Sequence, residues 1–118
     1  MDKFVFKRRP EGEVRTVVWP ATVTRPLDGG KTVKLLIDVR YKTVDPAELA
    51  RATSQFALMG RDGNVVVYDL VVDGFPGLPG GESLSDAELI AELRKDDETV
   101  RGIAEGYFAM LRGIVPGN

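Results

Sequence analysis

The sequence predicts an α+β fold, in which an N-terminal antiparallel β-hairpin or small sheet packs against three to four α-helices. Three observations support this class. Residues 1–42 are rich in β-branched and aromatic residues, residues 45–114 carry helix caps and apolar residues at three-four spacing, and residues 74–84 form a glycine- and proline-rich loop. Because 118 residues is the size of one domain, we expect residues 1–118 to form a single domain.

The β-rich part is predicted to contain two or three strands. Phe4 and Phe6 occupy alternate positions and predict a first strand, and the turn residues Pro10-Glu11-Gly12 separate it from an extended stretch that begins at Val14. Pro20 within that stretch favours an edge position or a bend, because proline has no N–H to donate to a neighbouring strand.

The strand from Thr32 to Tyr41 has the clearest pattern in the sequence. It follows the hairpin signal Asp28-Gly29, and its polar and apolar residues alternate. Since a strand with one apolar face needs cover, we expect helices to pack on that face. The predicted apolar face consists of Val33, Leu35, Ile37, Val39 and Tyr41.

The first helix is predicted from Pro46 to about Leu58. Asp45 is an N-cap residue, proline is suited to the first helical position, and Glu48 is placed to complete a capping box. Residues 64–73 allow two interpretations. Their valines favour a strand, but a fully buried helix is also consistent with the same apolar segment. The predicted buried stripe of the first helix is Leu49, Ala52, Thr53 and Phe56.

Two further helices follow the loop. Ser85-Asp86-Ala87-Glu88 is a second capping box, and residues 97–112 form the longest predicted helix, which Gly113 ends. Gly102 and Gly106 lie inside it and each costs about 1 kcal/mol relative to alanine, so they either mark a close approach of another element or subunit or are tolerated surface glycines. The predicted buried stripe is Val100, Ile103, Ala104, Tyr107, Phe108 and Leu111.

The composition argues against several functions. A net charge of −2 provides no basic field for nucleic acid, and the run Lys7-Arg8-Arg9 is typical of a solvated strand end. The chain has no cysteine and no histidine, which removes thiolate chemistry, the commonest general base and the commonest zinc ligand. We therefore expect no catalytic residue, no cofactor and no metal, and a protein of the bacterial cytoplasm, since neither a signal peptide nor a membrane span is evident.

Large apolar side chains at positions that the sequence predicts to be exposed are more informative about function than the composition. Trp19 precedes a proline, and Phe75 and Leu78 lie within the loop, where a monomer gains little from them. These three residues and Tyr107 are our candidate protein-binding residues. The alternatives are core packing for Trp19 and anchoring of the loop on its own domain for Phe75.

A series of motifs extends over nearly the whole chain. The motifs are Trp19-Pro20, a turn from Pro26 to Gly30, a strand ending at Tyr41-Lys42, a helix opened by Pro46, the segment Asp69–Phe75 with its glycine-rich loop, Ser85-x-x-Glu88-Leu89, and Ile103 with Tyr107, Phe108 and Leu111. In this order the motifs resemble those of the tail assembly chaperones of long-tailed bacteriophages and prophages, although Phe75 stands where that family usually has tryptophan.

The resemblance implies a non-catalytic protein that coats the tape measure protein, associates with copies of itself and leaves as tail tube subunits polymerise. It favours the helix for residues 64–73, and it implies that this chain is the short form of a protein often also made as a longer, frameshifted product. One alternative is another small tail or head–tail connector protein. An alternative of a different class is a carboxylate-dependent enzyme using Asp96-Asp97-Glu98, although acidic residues at a helix start are explained by the helix dipole.

Overall fold

A computed structural model describes residues 1–117 and confirms the α+β class. The three strands form one antiparallel sheet in the order β1-β2-β3. Within the described residues the elements are β1 (Thr16–Leu27), β2 (Lys31–Lys42), α1 (Pro46–Leu58), α2 (Gly63–Val71), β3 (Val72–Gly74), α3 (Asp86–Leu93) and α4 (Asp97–Leu111).

The β1–β2 hairpin is the framework of the molecule. The strands pair along their whole length, and the connecting turn Asp28–Gly30 uses the positive φ angles of Gly29 (81°) and Gly30 (79°). This matches the predicted turn. Pro20 lies in β1, which is an edge strand of the sheet, as its missing N–H predicts.

The predicted first strand around Phe4 and Phe6 is wrong. Residues 1–15 precede β1 without regular structure, and the Phe4 side chain is 94% exposed. Of this segment only the turn forms, with the N–H of Glu13 donating to the carbonyl of Pro10 at 3.1 Å. Two alternating phenylalanines have strand propensity, but a strand needs a partner, and the sheet takes its third strand from Val72–Gly74 instead.

Helix α1 has the predicted bounds and N-cap residue, with Asp45 accepting a hydrogen bond from the N–H of Ala47 at 2.8 Å. The capping box predicted with Glu48 does not form. Its predicted buried stripe is only half-buried, and none of its residues is fully buried. The reason is its position, because α1 packs on α2 and not on the sheet.

The ambiguous segment after α1 is mainly helical. Helix α2 ends at Val71, and the chain then enters β3. Val66, Val67 and Tyr68 are buried in α2, so burial on the core decides the structure against the strand propensity of the valines. The capping box predicted at Ser85 is confirmed, since Ser85 Oγ accepts from the N–H of Glu88 and Glu88 Oε1 accepts from the N–H of Ser85, both at 3.2 Å.

The core lies between one face of the sheet and helices α2, α3 and α4. The prediction that helices cover the whole apolar face of β2 is only partly right. Val39 and Tyr41 are buried, Val33 and Ile37 are half-buried, and Leu35 is 45% exposed. The helices therefore cover the half of β2 nearest the turn only in part. Among residues 1–117, no helix has both the length and the apolar character to cross a membrane.

Candidate protein-binding surface

Two of the four predicted binding residues lie in the core. Phe75 is 2% exposed and Tyr107 is 1% exposed. The Tyr107 ring packs 5.7 Å from that of Tyr41, and its hydroxyl accepts a hydrogen bond from the N–H of Val44 at 3.3 Å. Phe75 directly follows β3 and anchors the loop on the core, which is the alternative interpretation of this residue. In this fold neither ring is accessible to a partner.

Trp19 and Leu78 are half-buried and lie on different elements. Trp19 faces the core from β1, and its Nε1 donates a hydrogen bond to the carbonyl of Ile114 at 2.9 Å. Leu78 lies in the loop and lines a groove with Leu36 and Ile37 of β2. The structure therefore does not gather the four predicted residues into one site.

The C-terminal end of α4 presents an apolar surface instead. Phe108 and Leu111 were predicted to be buried, but they are 37% and 55% exposed. Ile114 and Val115 follow directly and are similarly exposed. We call these four residues the C-terminal patch: Phe108, Leu111, Ile114 and Val115.

The error in the predicted stripe of α4 has a geometric cause. Gly102 and Gly106 are both buried against the sheet. Residues on a helix are spaced by 100°, so Phe108 falls on the flank that carries the exposed charged residues of α4. Leu111 is exposed because it is the last residue of the helix. A side chain on Gly102 would place its Cβ in collision with the carbonyl oxygen of Thr22. Of the two interpretations of these glycines, close approach is the correct one.

The end of α4 holds the C-terminal patch in a defined shape. Gly113 adopts a positive φ of 70°, and the N–H of Ile114 donates a hydrogen bond to the carbonyl of Ala109 at 2.9 Å. The Trp19 indole then fixes the carbonyl of Ile114. These bonds keep Ile114 beside the last helical turn, on the side of Ala109 and Gly106. The sequence shows the four apolar residues of this patch, but the predicted buried stripe assigned Phe108 and Leu111 to the core.

An open groove of about 630 Å³ lies beside the start of α4 and contains the acidic run. Arg25 of β1 bridges Asp96 at 2.7 Å and Glu98 at 3.3 Å. Hydrogen bonds from Glu98 and Thr99 lower the pKa of Asp96 to about 2, and the hydrogen bond with Asp96 raises the pKa of Glu98.

This carboxylate pair is the feature that the enzyme hypothesis needs. Its side chains are 29% and 35% exposed, and the groove walls are mainly threonines and charged residues that offer little apolar surface to hold a substrate. The bridge from Arg25 ties β1 to the first turn of α4, which accounts for the arrangement as a structural link. Among residues 1–117, no group of three or more acidic ligands is placed to hold a metal ion.

Comparison of the chain with protein-family models, with curated proteins and with solved structures finds no match in any of the three. The functional argument therefore depends on the surfaces described above and on the order of the sequence motifs.

Proposed function

We propose that this chain is a tail assembly chaperone of a long-tailed bacteriophage or prophage, which binds the tape measure protein without catalysis and assists assembly of the tail tube. The observation that carries the proposal is the C-terminal patch, where four large apolar side chains remain exposed at the end of a well-packed helix. Exposed apolar side chains concentrated at one end of a domain are typical of surfaces that bind other proteins.

The motif order supports the same function. The segment Asp69–Phe75 and the residues Ile103, Tyr107 and Phe108 carry the resemblance in the C-terminal half. In this fold Phe75, Ile103 and Tyr107 supply core contacts, whereas Phe108 reaches the surface. A family motif that builds the core and ends in an exposed aromatic residue is suited to presenting a binding surface.

The test is co-expression of this chain with the tape measure and tail tube proteins of the same phage, followed by affinity purification. We expect a complex with the tape measure protein. The double substitution L111S and V115S should weaken binding about tenfold, because it removes two apolar contacts worth about 1 kcal/mol or less each in a partly exposed patch. Recovery of neither protein with the wild-type chain contradicts the proposed function.

A matched control is available at the C-terminal end of α1. Leu58 and Met59 are 91% and 65% exposed and lie outside the patch, so the double substitution L58S and M59S also replaces two exposed apolar side chains with serine. We expect this control to bind like the wild type. Analysis of the protein content of purified virions tests the alternative of a tail or head–tail connector protein. Such a protein stays in the particle, whereas a chaperone does not.

A further inference from the structure

The outer edge of β2 is open along most of its length. β3 pairs only with Arg40 and Tyr41, so within the described chain the stretch Lys31–Val39 has no strand beside it on that side. The loop Pro76–Pro79 lies nearby, but a groove of about 370 Å³ separates it from Leu36, Ile37 and Asp38. Within residues 1–117, no backbone hydrogen bond joins this loop to residues 34–38, so the outward backbone groups of β2 remain available to a neighbouring strand, which runs about 4.8 Å away in a sheet.

The opposite edge of the sheet is closed by contrast. β1 carries Pro20 and Pro26, which cannot donate hydrogen bonds, and α4 approaches Thr22 so closely that only glycine is accommodated. No proline occurs in β2, and its side chains beside the open edge include Leu35 and Leu36, of which Leu36 is 71% exposed. The chain thus protects one edge against strand addition and not the other.

The prolines also reveal which residues of β2 face outward. Because a proline cannot donate to β2, Pro20 and Pro26 occupy positions whose backbone groups point away from it. In an antiparallel pair, residues directly opposite each other share this property. Their partners are Asp38 and Thr32, so Lys34 and Leu36, at the same spacing between them, also direct their backbone N–H and C=O to the open edge.

We propose that this edge pairs with the same edge of a second copy, antiparallel about a twofold axis centred on Leu36. In that register Lys34 of each copy lies opposite Asp38 of the other, and the two Leu36 side chains meet between these ion pairs. On the other face Leu35 meets Ile37. The ladder covers residues 34–38 and ends where β3 begins, and five residues is an ordinary strand length.

Two nearby registers illustrate why the others are less favourable. Centring the axis on Lys34 brings two lysines directly opposite each other, which is destabilising. Centring it on Leu35 places Lys34 against Leu36 and forms no ion pair.

The same charges disfavour the N-terminal segment as the occupant. That segment carries Lys3 and the run Lys7-Arg8-Arg9, while the open edge carries Lys31 and Lys34 with a single acidic residue, Asp38. A basic strand would meet like charge there. A second copy brings the complementary residue with it, so the edge is better matched to itself.

Charge exchange tests this register directly, because the side chains of Lys34 and Asp38 are exposed. We expect sedimentation equilibrium to show a wild-type dimer. K34D and D38K should each raise the dimer dissociation constant about tenfold or more, since two attractive pairs become two repulsive ones. The double variant K34D/D38K should restore the dimer, and an equimolar mixture of K34D with D38K should form a heterodimer.

The controls separate this surface from others. K31D changes the same strand outside the paired residues and should leave the dissociation constant unchanged, as should L111S/V115S in the C-terminal patch. The L36P variant removes one outward N–H and should give a monomer. A wild-type monomer at all concentrations, a dimer insensitive to both charge variants, or a dimer lost on deletion of residues 1–14 overturns the proposal. None of these results bears on binding of the tape measure protein.

Discussion

Two glycines decide how α4 lies on the sheet. Gly102 is buried against the backbone of Thr22, and a Cβ at Gly106 would lie 2.5 Å from the hydroxyl of Tyr41. The close approach lets Tyr41 donate a hydrogen bond to the carbonyl of Ile103 at 2.7 Å. At these two positions the helix loses helix propensity and gains close contact with the sheet.

Alanine at Gly102 should accordingly destabilise the protein. Alanine favours a helix by about 1 kcal/mol over glycine, but the new Cβ collides with a backbone carbonyl that cannot move without shifting β1. We expect the free energy of unfolding, measured by urea denaturation, to fall by about 2 kcal/mol or more. G63A in the first turn of α2 meets nothing within 4 Å, so it should be neutral or stabilising. Equal effects of the two substitutions would contradict the close approach as the reason for Gly102.

Sequence reasoning at this scale identified the glycines but not the orientation of their neighbours. The three-four spacing of α4 predicts an apolar stripe that includes Phe108 and Leu111, because periodicity counts apolar side chains and gives no weight to glycine. Likewise, loop composition cannot show that Phe75 turns back onto the core. Both depend on contacts between residues distant in the chain.

The helices differ in how firmly the core holds them. α4 lies on the sheet with eight buried residues, whereas α1 lies on α2 and has none. The N-terminal signal of α1, Asp45 followed by Pro46, is strong, and the bounds of α1 were predicted correctly for that reason. The extent of burial of α1 was not predicted correctly. An apolar stripe indicates which side of a helix faces inward, but not how many residues of other elements pack against that side.

We expect α1 to open locally at a lower free energy than α4. Native-state hydrogen exchange should show amides of α1 exchanging faster than those around Ile103, because few buried contacts oppose opening of α1. L49A in α1 should lower the free energy of unfolding by about 1 kcal/mol, and I103A by about 3 kcal/mol. Uniform protection across both helices would contradict this hierarchy.

At the scale of the whole molecule, the three tyrosines link elements that are distant in sequence. Tyr41 joins β2 to α4, Tyr107 joins α4 to Val44 after β2, and Tyr68 donates from α2 to the carbonyl of Ile90 in α3 at 2.7 Å. All three rings are buried. The sequence predicts Tyr41 on an apolar face and Tyr107 in an apolar stripe, but it does not indicate which carbonyl each hydroxyl meets.

Because these tyrosines are buried, the free energy of unfolding should depend on pH in the alkaline range. Burial raises the pKa of Tyr41, and burial together with the neighbouring Asp69 raises the pKa of Tyr68. A tyrosine in the unfolded chain ionises near pH 10, so the contribution of these groups to stability is complete below pH 10. It is lost as the pH rises above that value, because only the unfolded state then releases the protons.

Urea denaturation between pH 8 and pH 12 measures this effect. The free energy of unfolding should decline above pH 10, with a slope approaching about 1.4 kcal/mol per pH unit for each of the two tyrosines. Y68F should reduce the slope by about half, and Y41F/Y68F should remove most of the remainder, after allowance for the lower stability of each variant at pH 8. A decline of unchanged slope in the double variant would show that other groups, and not the buried hydroxyls between sheet and helices, control alkaline unfolding.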